Sequence, residues 1–330
     1  MFASVALREL AECGHRPALV ISQPDRRRGR GLCGTAPEAV CEARGLGIPV
    51  LQTENINSPV VVEQLGSAGI SILAVAAFGQ ILRDAVVDGF LCVNIHGSIL
   101  PKYRGPAPIE RALMAGDTET GVSIMRVTRG VDEGPWAEQV TVPIGLEEDA
   151  GDLGHKLAVI GAQALARVLD TIDEGRVAWN RQSGNPSYAG KIGLDDCRLD
   201  VRGEAKRAHD QVRALSPCIG AKVDLGGVEV KVWRSRPLGG AGSAEVPNVA
   251  QEAAGQAGAL VAVDKRLFVG CGVGVLEILE IQPLNKARMS ASEFLRGYSG
   301  RLAKHVSMEF TESERNAGLM KEGSCGGDTG

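Results

Sequence analysis

The chain has 330 residues, a length that predicts two domains rather than one. Hydrophobic residues make up 44% and charged residues 23%, which excludes a chain that is disordered throughout. The net charge of -4 argues against a protein that coats nucleic acid with its whole surface, and no apolar run approaches the about 20 residues that a membrane helix needs.

The first half of the chain predicts helices that alternate with buried strands. Near-continuous apolar strands between helical segments are typical of a doubly wound, mostly parallel, Rossmann-like α/β sheet. Such a sheet usually opens with a strand, whereas this sequence opens directly with a helical pattern. The predicted helices cover residues 5–13, 37–43, 109–114 and 153–172, and the predicted strands cover residues 18–22, 70–76, 91–95 and 121–127.

The second half of the chain changes to short strands separated by glycine-rich turns, followed by a helix at 291–296. Turn signals at such short intervals predict a second, smaller β-barrel domain of the OB-like type. The predicted strands cover residues 221–223, 228–233, 260–263, 267–269 and 276–281. We therefore divide the chain into an α/β domain at 1–178, a polar linker at 179–200, a β-domain at 201–310 and a disordered tail at 311–330.

The eight cysteines do not form a recognisable metal or redox motif. None belongs to a Cys-x-x-Cys pair, and no Cys/His cluster has the spacing of a zinc site. This pattern indicates reduced thiols, several of them buried as small apolar residues, and gives no positive sign of a metal.

Polar side chains that could carry chemistry follow the strand predicted at 91–95. Asn94 and His96 lie two residues apart, so both side chains point to the same face of that strand. The carboxyl end of a strand is where open α/β sheets bind ligands, and an amide beside an imidazole can stabilise an oxyanion or move a proton. Asp132, in the polar turn at 130–134, could orient His96 if the two loops meet. Taken alone, these residues are equally compatible with structural polar groups.

A longer motif around these residues is more specific. Over residues 94–134 it resembles the formyltetrahydrofolate-dependent formyltransferases. Residues 22–31, 188–192 and 230–233 resemble the second strand and basic loop, the linker and the C-terminal domain of those members whose acceptor is methionyl initiator tRNA. The motif consists of Asn94, Ile95, His96, Gly97, Ser98, Ile99, Leu100, Pro101, Arg104, Gly105, Pro108, Ile109, Gly116, Thr120, Gly121, Val122, Asp132 and Gly134.

The resemblance implies transfer of a formyl group from 10-formyltetrahydrofolate to the α-amine of methionyl initiator tRNA, without a metal, by a cytoplasmic monomer. It implies that Asn94, His96 and Asp132 are catalytic. The implied folate-binding residues are Ser98, Ile99, Leu100, Pro101, Phe78, Gly79, Ile81 and Leu82. The implied tRNA-binding residues are Arg26, Arg27, Arg28 and Arg30.

The amino end departs from the resemblance. Family members begin with a strand and a Gly-Thr-Pro turn ahead of the residue that matches Phe2, and neither is present here. We therefore expect that Met1 is a misassigned start, which mass spectrometry of the native amino terminus would test.

Three alternatives remain open from the sequence. One is a formyltransferase of the same family that acts on an amino sugar or glycinamide ribonucleotide, or that hydrolyses the folate. Another is a tRNA-binding protein that has lost catalysis. The third, a dinucleotide oxidoreductase, is disfavoured because no Gly-x-Gly-x-x-Gly motif follows a strand.

Overall fold

The computed structural model describes residues 1–28, 33–225, 227–239, 246, 248–298, 300 and 302. The chain forms two compact units. The first comprises Met1–Ala112 and Asp117–Lys191, and the second comprises Leu113–Gly116 and Ile192–Gly330. Arg30 and the tail predicted to be disordered at 311–330 lie outside the described residues.

The first unit is an α/β layer structure. Its strands are β1 (Val20–Ser22), β2 (Arg26–Arg28), β3 (Cys33–Thr35), β4 (Val50–Gln52), β5 (Ile72–Val75), β6 (Leu91–His96), β7 (Glu119–Arg126) and β8 (Trp136–Pro143). Its helices are α1 (Phe2–Glu12), α2 (Glu38–Gly45), α3 (Pro59–Ser67), α4 (Asp84–Gly89), α5 (Pro108–Ala115), whose last residues group with the second unit, and α6 (Ala150–Asp173).

Most strands of the first unit belong to one of two separate sheets. β1 pairs with β4 in parallel, and a separate sheet has the order β5-β6-β7-β8. Within that sheet β5 and β6 are parallel, whereas β6/β7 and β7/β8 are antiparallel. The predicted α/β class is confirmed, but β7 does not continue the parallel pattern. Its interior residues are buried, and burial on both faces produces the same apolar run in either strand direction.

Helix α6 covers one face of this sheet because its sequence supplies both a start signal and an apolar stripe. Asp149 accepts hydrogen bonds from the main-chain N–H groups of Gly151 and Asp152, and the Asp152 side chain completes the capping box. Leu153, Leu157 and further small or apolar residues at helical spacing are buried along one side. The small residues permit the close approach of α6 to β6 and β7.

The second unit is an antiparallel sheet covered by two helices. Its elements are α7 (Ala205–Leu215), β9 (Ala221–Asp224), β10 (Glu229–Leu238), β11 (Leu260–Val263), β12 (Arg266–Gly270), β13 (Val275–Pro283), β14 (Met289–Ser290), α8 (Ala291–Tyr298) and 3-10 turns at Asp195–Cys197 and Asn248–Ala253. The strand order is β11-β12-β13-β10-β9, with β14 on β13. The antiparallel character is as predicted, with β9 and β11 at the two ends of this order.

Several elements were not predicted from the sequence: β2, β3, β4, α3, α4, β8, α7 and β14. β4 and α4 are three and six residues long, too short to produce a periodic signal. None of the helices in the described part of the chain combines the length and hydrophobicity that a bilayer-spanning helix needs.

Two glycines in α6 provide a matched test of the packing against β6. A Cβ at Gly161 would overlap the Cγ2 atom of Ile95, whereas a Cβ at Gly154 would meet only Ile109 Cδ1 at 3.8 Å. Alanine favours the helix over glycine by about 0.5–1 kcal/mol at either position. We therefore expect Gly154→Ala to raise the free energy of unfolding in urea by about that amount. Gly161→Ala should lower it by about 1–3 kcal/mol, because overpacking outweighs the helix preference. Equal effects of the two substitutions would contradict this packing.

Candidate active site

The candidate site lies at the carboxyl end of β6, where Asn94 and His96 alternate with buried apolar residues. Asn94 pairs with Val75 of β5 and Met125 of β7, and His96 pairs with Ser123 of β7. The His96 side chain is 5% exposed, whereas Asn94 is half-buried. Among the described residues, the Asn94 amide has no hydrogen-bond partner, so it is available to a ligand.

Both ring nitrogens of His96 face oxygen atoms. Nε2 lies 2.9 Å from the main-chain oxygen of Tyr103, and Nδ1 lies 3.6 Å from Oδ2 of Asp132. A carbonyl oxygen can only accept, so Nε2 carries a proton and donates it to Tyr103. Nδ1 is then the ring nitrogen that faces the Asp132 carboxylate. The structure thus brings together the two loops that carry His96 and Asp132.

Asp132 is held by the main chain of the loop that follows β6. The N–H of Gly105 donates to Oδ2 of Asp132 at 2.8 Å. Asp132 itself adopts a φ of 51°, in the left-handed region that Asp tolerates better than most residues. The neighbouring Gly134 has no room for a side chain, because a Cβ there would overlap the main-chain oxygen of Arg126. The turn is therefore shaped to aim the Asp132 carboxylate at the loop.

Gln182 fastens the same turn from the other side. Its Nε2 donates to the main-chain oxygens of Asp132 at 2.7 Å and Gly134 at 2.8 Å. Its Oε1 accepts from the guanidinium of Arg104 at 2.8 and 3.1 Å, and Arg104 also contacts Glu133 at 3.0 Å. One amide side chain thus connects the turn that carries Asp132 with the loop that carries Arg104.

The second half of the loop at 97–105 is hydrogen-bonded to residues 187–189. The N–H of Arg104 donates to the oxygen of Ser187 at 2.8 Å, and the N–H of Ala189 donates to the oxygen of Arg104 at 2.6 Å. The Ser187 hydroxyl accepts from the N–H of Tyr103 at 2.9 Å. Gly105 has a φ of 114°, and a Cβ there would lie 2.8 Å from the Ala189 oxygen. This pairing fixes the two main-chain groups that hold His96 and Asp132.

The Tyr103 side chain connects the loop at 97–105 to Asp117. Its hydroxyl donates to Oδ2 of Asp117 at 2.9 Å. Burial, together with this hydrogen bond to Asp117, raises the pKa of Tyr103 to about 12. Tyr103 therefore stays neutral and keeps donating at any physiological pH.

The predicted folate-binding residues separate into buried and accessible ones. Ser98 and Leu100 are 0% and 3% exposed, and they shape the loop from inside. The Ser123 hydroxyl donates to the oxygen of Ser98 at 2.7 Å and accepts from the N–H of Leu100 at 3.0 Å. Leu82 is buried and Phe78 half-buried in the core beside α3 and α4. The accessible or half-buried members of the set are Ile81, which is 71% exposed, Gly79, Ile99 and Pro101.

The predicted basic loop contains a short β-ribbon. Arg26, Arg27 and Arg28 form β2, which pairs antiparallel with β3 from Thr35 back to Cys33. The base of the ribbon is tied to β4, because the Gln52 amide donates to the oxygen of Gln23 at 3.1 Å and to Asp25 at 2.8 Å. Three of the four predicted arginines therefore lie on one strand of a hairpin, an arrangement the sequence did not predict.

Sequence reasoning missed Gln182, Ser187 and Ala189 because they lie in the stretch read as a linker. Residues 180–191 group with the first unit and carry much of the hydrogen bonding around the loop at 97–105. Their polar, non-periodic composition is the same as that of a linker, so the sequence offered no signal to separate the two. Among the described residues, no group of three or more His, Cys, Asp or Glu side chains is placed to hold a metal ion.

Comparisons with known proteins match both units of the chain. The family model described as "Formyl transferase" matches residues 3–169, and the model described as "Formyl transferase, C-terminal domain" matches residues 191–299. A methionyl-tRNA formyltransferase of Rubrobacter xylanophilus is 44% identical over 301 residues, which cover 90% of this chain and 94% of the relative. A methionyl-tRNA formyltransferase of Methylobacterium sp. is 39% identical over 303 residues, covering 90% and 93%.

Solved structures with the same fold are more distant in sequence. A variant of HypX from Aquifex aeolicus has a TM-score of 0.61 at 16% identity, and the aligned part covers 87% of this chain and 48% of HypX. This chain therefore spans about half the length of HypX. The sugar 3N-formyl transferase WlaRD has a TM-score of 0.59 at 18% identity, with 87% and 95% covered. At these identities the likeness shows the fold alone.

Proposed function

The chain belongs to the formyl transferase family, and on that premise we propose that it transfers the formyl group of 10-formyltetrahydrofolate to the α-amine of methionyl initiator tRNA. The observation that carries this proposal is the match over both units to relatives named for that reaction, at 39% and 44% identity. The polar cluster at the end of β6 supplies groups suited to the chemistry.

The Asn94 amide is the group that stabilises negative charge in this mechanism. When the amine attacks the formyl carbon, charge develops on the formyl oxygen. The Asn94 amide is available at the carboxyl end of β6, on a strand fixed by pairing on both sides. A donor fixed before the reaction stabilises that charge without reorganising, and losing one such donor typically costs about a hundredfold to a thousandfold in rate.

His96 and Asp132 together take the proton of the attacking amine. The C–N bond to the acceptor forms first and places negative charge on the formyl oxygen, and the bond from the formyl carbon to the folate nitrogen then breaks. The amine nitrogen loses a proton to Nδ1 of His96, and His96 returns a proton to the departing folate nitrogen. The sequence alone is compatible with either a hydrogen-bonding or a proton-moving role for His96. Because Nε2 of His96 already donates to Tyr103, we assign the oxyanion to Asn94 and the proton to His96.

The two substrates are assigned to different parts of the first unit. Ile81 offers an exposed apolar side chain that would cover the planar pterin ring, next to Gly79. The arginine ribbon, residues 26–28, would contact tRNA phosphates, for which the guanidinium group is well suited.

Catalysis is tested by measuring formyl-methionyl-tRNA production by the purified chain. Asn94→Ala should lower kcat by about a hundredfold to a thousandfold, and Asp132→Asn by about a hundredfold or more. His15→Ala is the control, because His15 precedes the amino end of β1, whereas the site lies at the carboxyl end of β6, and because it contacts Asp170. Unchanged kcat in the Asn94 variant would contradict its role. If the chain formylated a nucleotide-linked amino sugar and did not formylate methionyl-tRNA, the proposed acceptor would be wrong.

Substrate binding is tested in the same assay by two variants that act as controls for each other. Replacing Arg26, Arg27 and Arg28 together by Ala should raise KM for tRNA about tenfold or more at physiological salt and weaken its salt dependence. Ile81→Ser should raise KM for the folate and leave that for tRNA unchanged. If the triple arginine variant raised KM for the folate instead, or if Ile81→Ser raised KM for tRNA instead, the assignment of the substituted residues would be refuted.

A further inference from the structure

A row of three polar side chains crosses the face of the sheet that carries the candidate site. His96 on β6 is paired with Ser123 on β7, and Ser123 is paired with Gln139 on β8. Because paired residues of neighbouring strands turn their side chains to the same face, all three lie on one side of the sheet. Ser123 is completely buried and Gln139 is half-buried. The proposed reaction uses only His96 of this row, so the other two side chains have no chemical role in it.

Ser123 and Gln139 hold the loop that follows β6 against β7 and β8. The Ser123 hydroxyl donates to the oxygen of Ser98 at 2.7 Å and accepts from the N–H of Leu100 at 3.0 Å. The Gln139 amide donates to the oxygen of Leu100 at 3.0 Å and to the Ser123 hydroxyl at 2.9 Å. A glutamine amide has two N–H donors and a serine hydroxyl has one O–H donor, so the arrangement uses every donor that the two side chains possess.

Burial makes these hydrogen bonds difficult to replace. Ser98 and Leu100 are both buried, so water does not readily take the place of either side chain. Without the Gln139 amide, the oxygen of Leu100 would either stay unpaired or turn toward solvent, and both outcomes are unfavourable in the present position of the loop. The two side chains therefore favour one position of this main chain over others.

Ile99 lies between the two residues that are held in this way. Its side chain rests on β7, because a Cβ at Gly121 would lie 2.5 Å from Ile99 Cδ1 and 3.0 Å from Ile99 Cγ1. Gly121 precedes Ser123 by two residues and so faces the same side of the sheet. Ile99 is nevertheless only half-buried, which leaves part of its side chain available to a ligand.

We propose that Ser123 and Gln139 are positioning residues for the folate. By fixing the main chain on both sides of Ile99, they hold the Ile99 side chain where it contacts the folate, and they need not touch the folate themselves. A loop that populates several positions binds a ligand in only one of them, so its affinity falls with the populated fraction of that position. This inference rests on the proposed function, since the loop can serve the folate only if the chain uses that cosubstrate.

Gln139→Met in the full chain tests the proposal, because it keeps the length of the side chain and removes both donors. The probe is 5-formyltetrahydrofolate, with Kd measured by isothermal titration calorimetry. If the substitution reduces the populated fraction of the binding position to about a tenth, Kd for the folate rises about tenfold. Kd for methionyl initiator tRNA should stay unchanged, because its proposed phosphate contacts lie on the arginine ribbon, residues 26–28.

Glu138→Met supplies the matched control on the same strand. Glu138 is adjacent to Gln139, but its side chain points to the opposite face and accepts a hydrogen bond from Arg167 of α6. The control introduces the same residue and should leave Kd for the folate unchanged. Equal weakening of folate binding in both variants would overturn the proposal, because it would indicate a general loosening of β8.

A double-mutant comparison tests whether Gln139 acts through Ile99. Ile99→Ala removes the side chain that the loop presents and should by itself raise Kd for the folate. In that background, Gln139→Met should raise Kd by about twofold or less, because the effects of residues that act through one another do not multiply. A further increase of about tenfold would show that the two residues act independently and would overturn the proposal.

A shorter amide provides a second variant at the same position. Gln139→Asn keeps the amide but is one carbon too short to reach both partners, so it should also weaken folate binding and spare tRNA binding. If both Gln139 variants bound the folate as the unsubstituted chain does, or if folate and tRNA binding weakened equally, this inference would be wrong and the proposed function would stand. If the unsubstituted chain did not bind the folate, both would be wrong.

Discussion

The hydrogen bond from His96 to the main-chain oxygen of Tyr103 is the interaction on which the candidate site depends. It fixes which nitrogen of the ring carries the proton and turns the other toward Asp132. The same loop also donates the N–H of Gly105 to Asp132. A single segment of main chain therefore positions both partners of the proton-moving pair, and any shift of that segment moves them together.

Residues distant in sequence hold this segment. Ser187 and Ala189 pair with its main chain, Gln182 ties it to the turn of Asp132, and Asp117 binds the Tyr103 hydroxyl. Each of these hydrogen bonds contributes about 0.5–1.5 kcal/mol, and together they favour a single arrangement of the loop. Such a network keeps the reacting groups in place before a substrate arrives, which is the condition for effective electrostatic stabilisation.

The parts of this arrangement that were predictable are those with a local signal. The 24-residue helix α6 and the strand β6 have clear periodicity, and Asn94 and His96 follow from alternation at the end of that strand. The direction of β7 was not predictable, because burial does not encode strand direction. Gln182 was missed because a hydrogen bond between segments 50 residues apart leaves no trace in composition. The predicted folate residues Ser98 and Leu100 proved to be interior because a motif shows which residues occur together and not which way each side chain points.

The position of the proton on the neutral His96 ring tests most directly whether the Tyr103 main chain sets the proton-accepting nitrogen of the site. Nitrogen-15 NMR of the uniformly labelled chain, with the His96 signals assigned by a His96→Gln variant, distinguishes the two neutral tautomers at a pH where the ring is uncharged. We expect a proton on Nε2, donated to the Tyr103 oxygen, and none on Nδ1. A neutral ring with its proton on Nδ1 would contradict it, because the loop would then not set the proton-accepting nitrogen that faces Asp132.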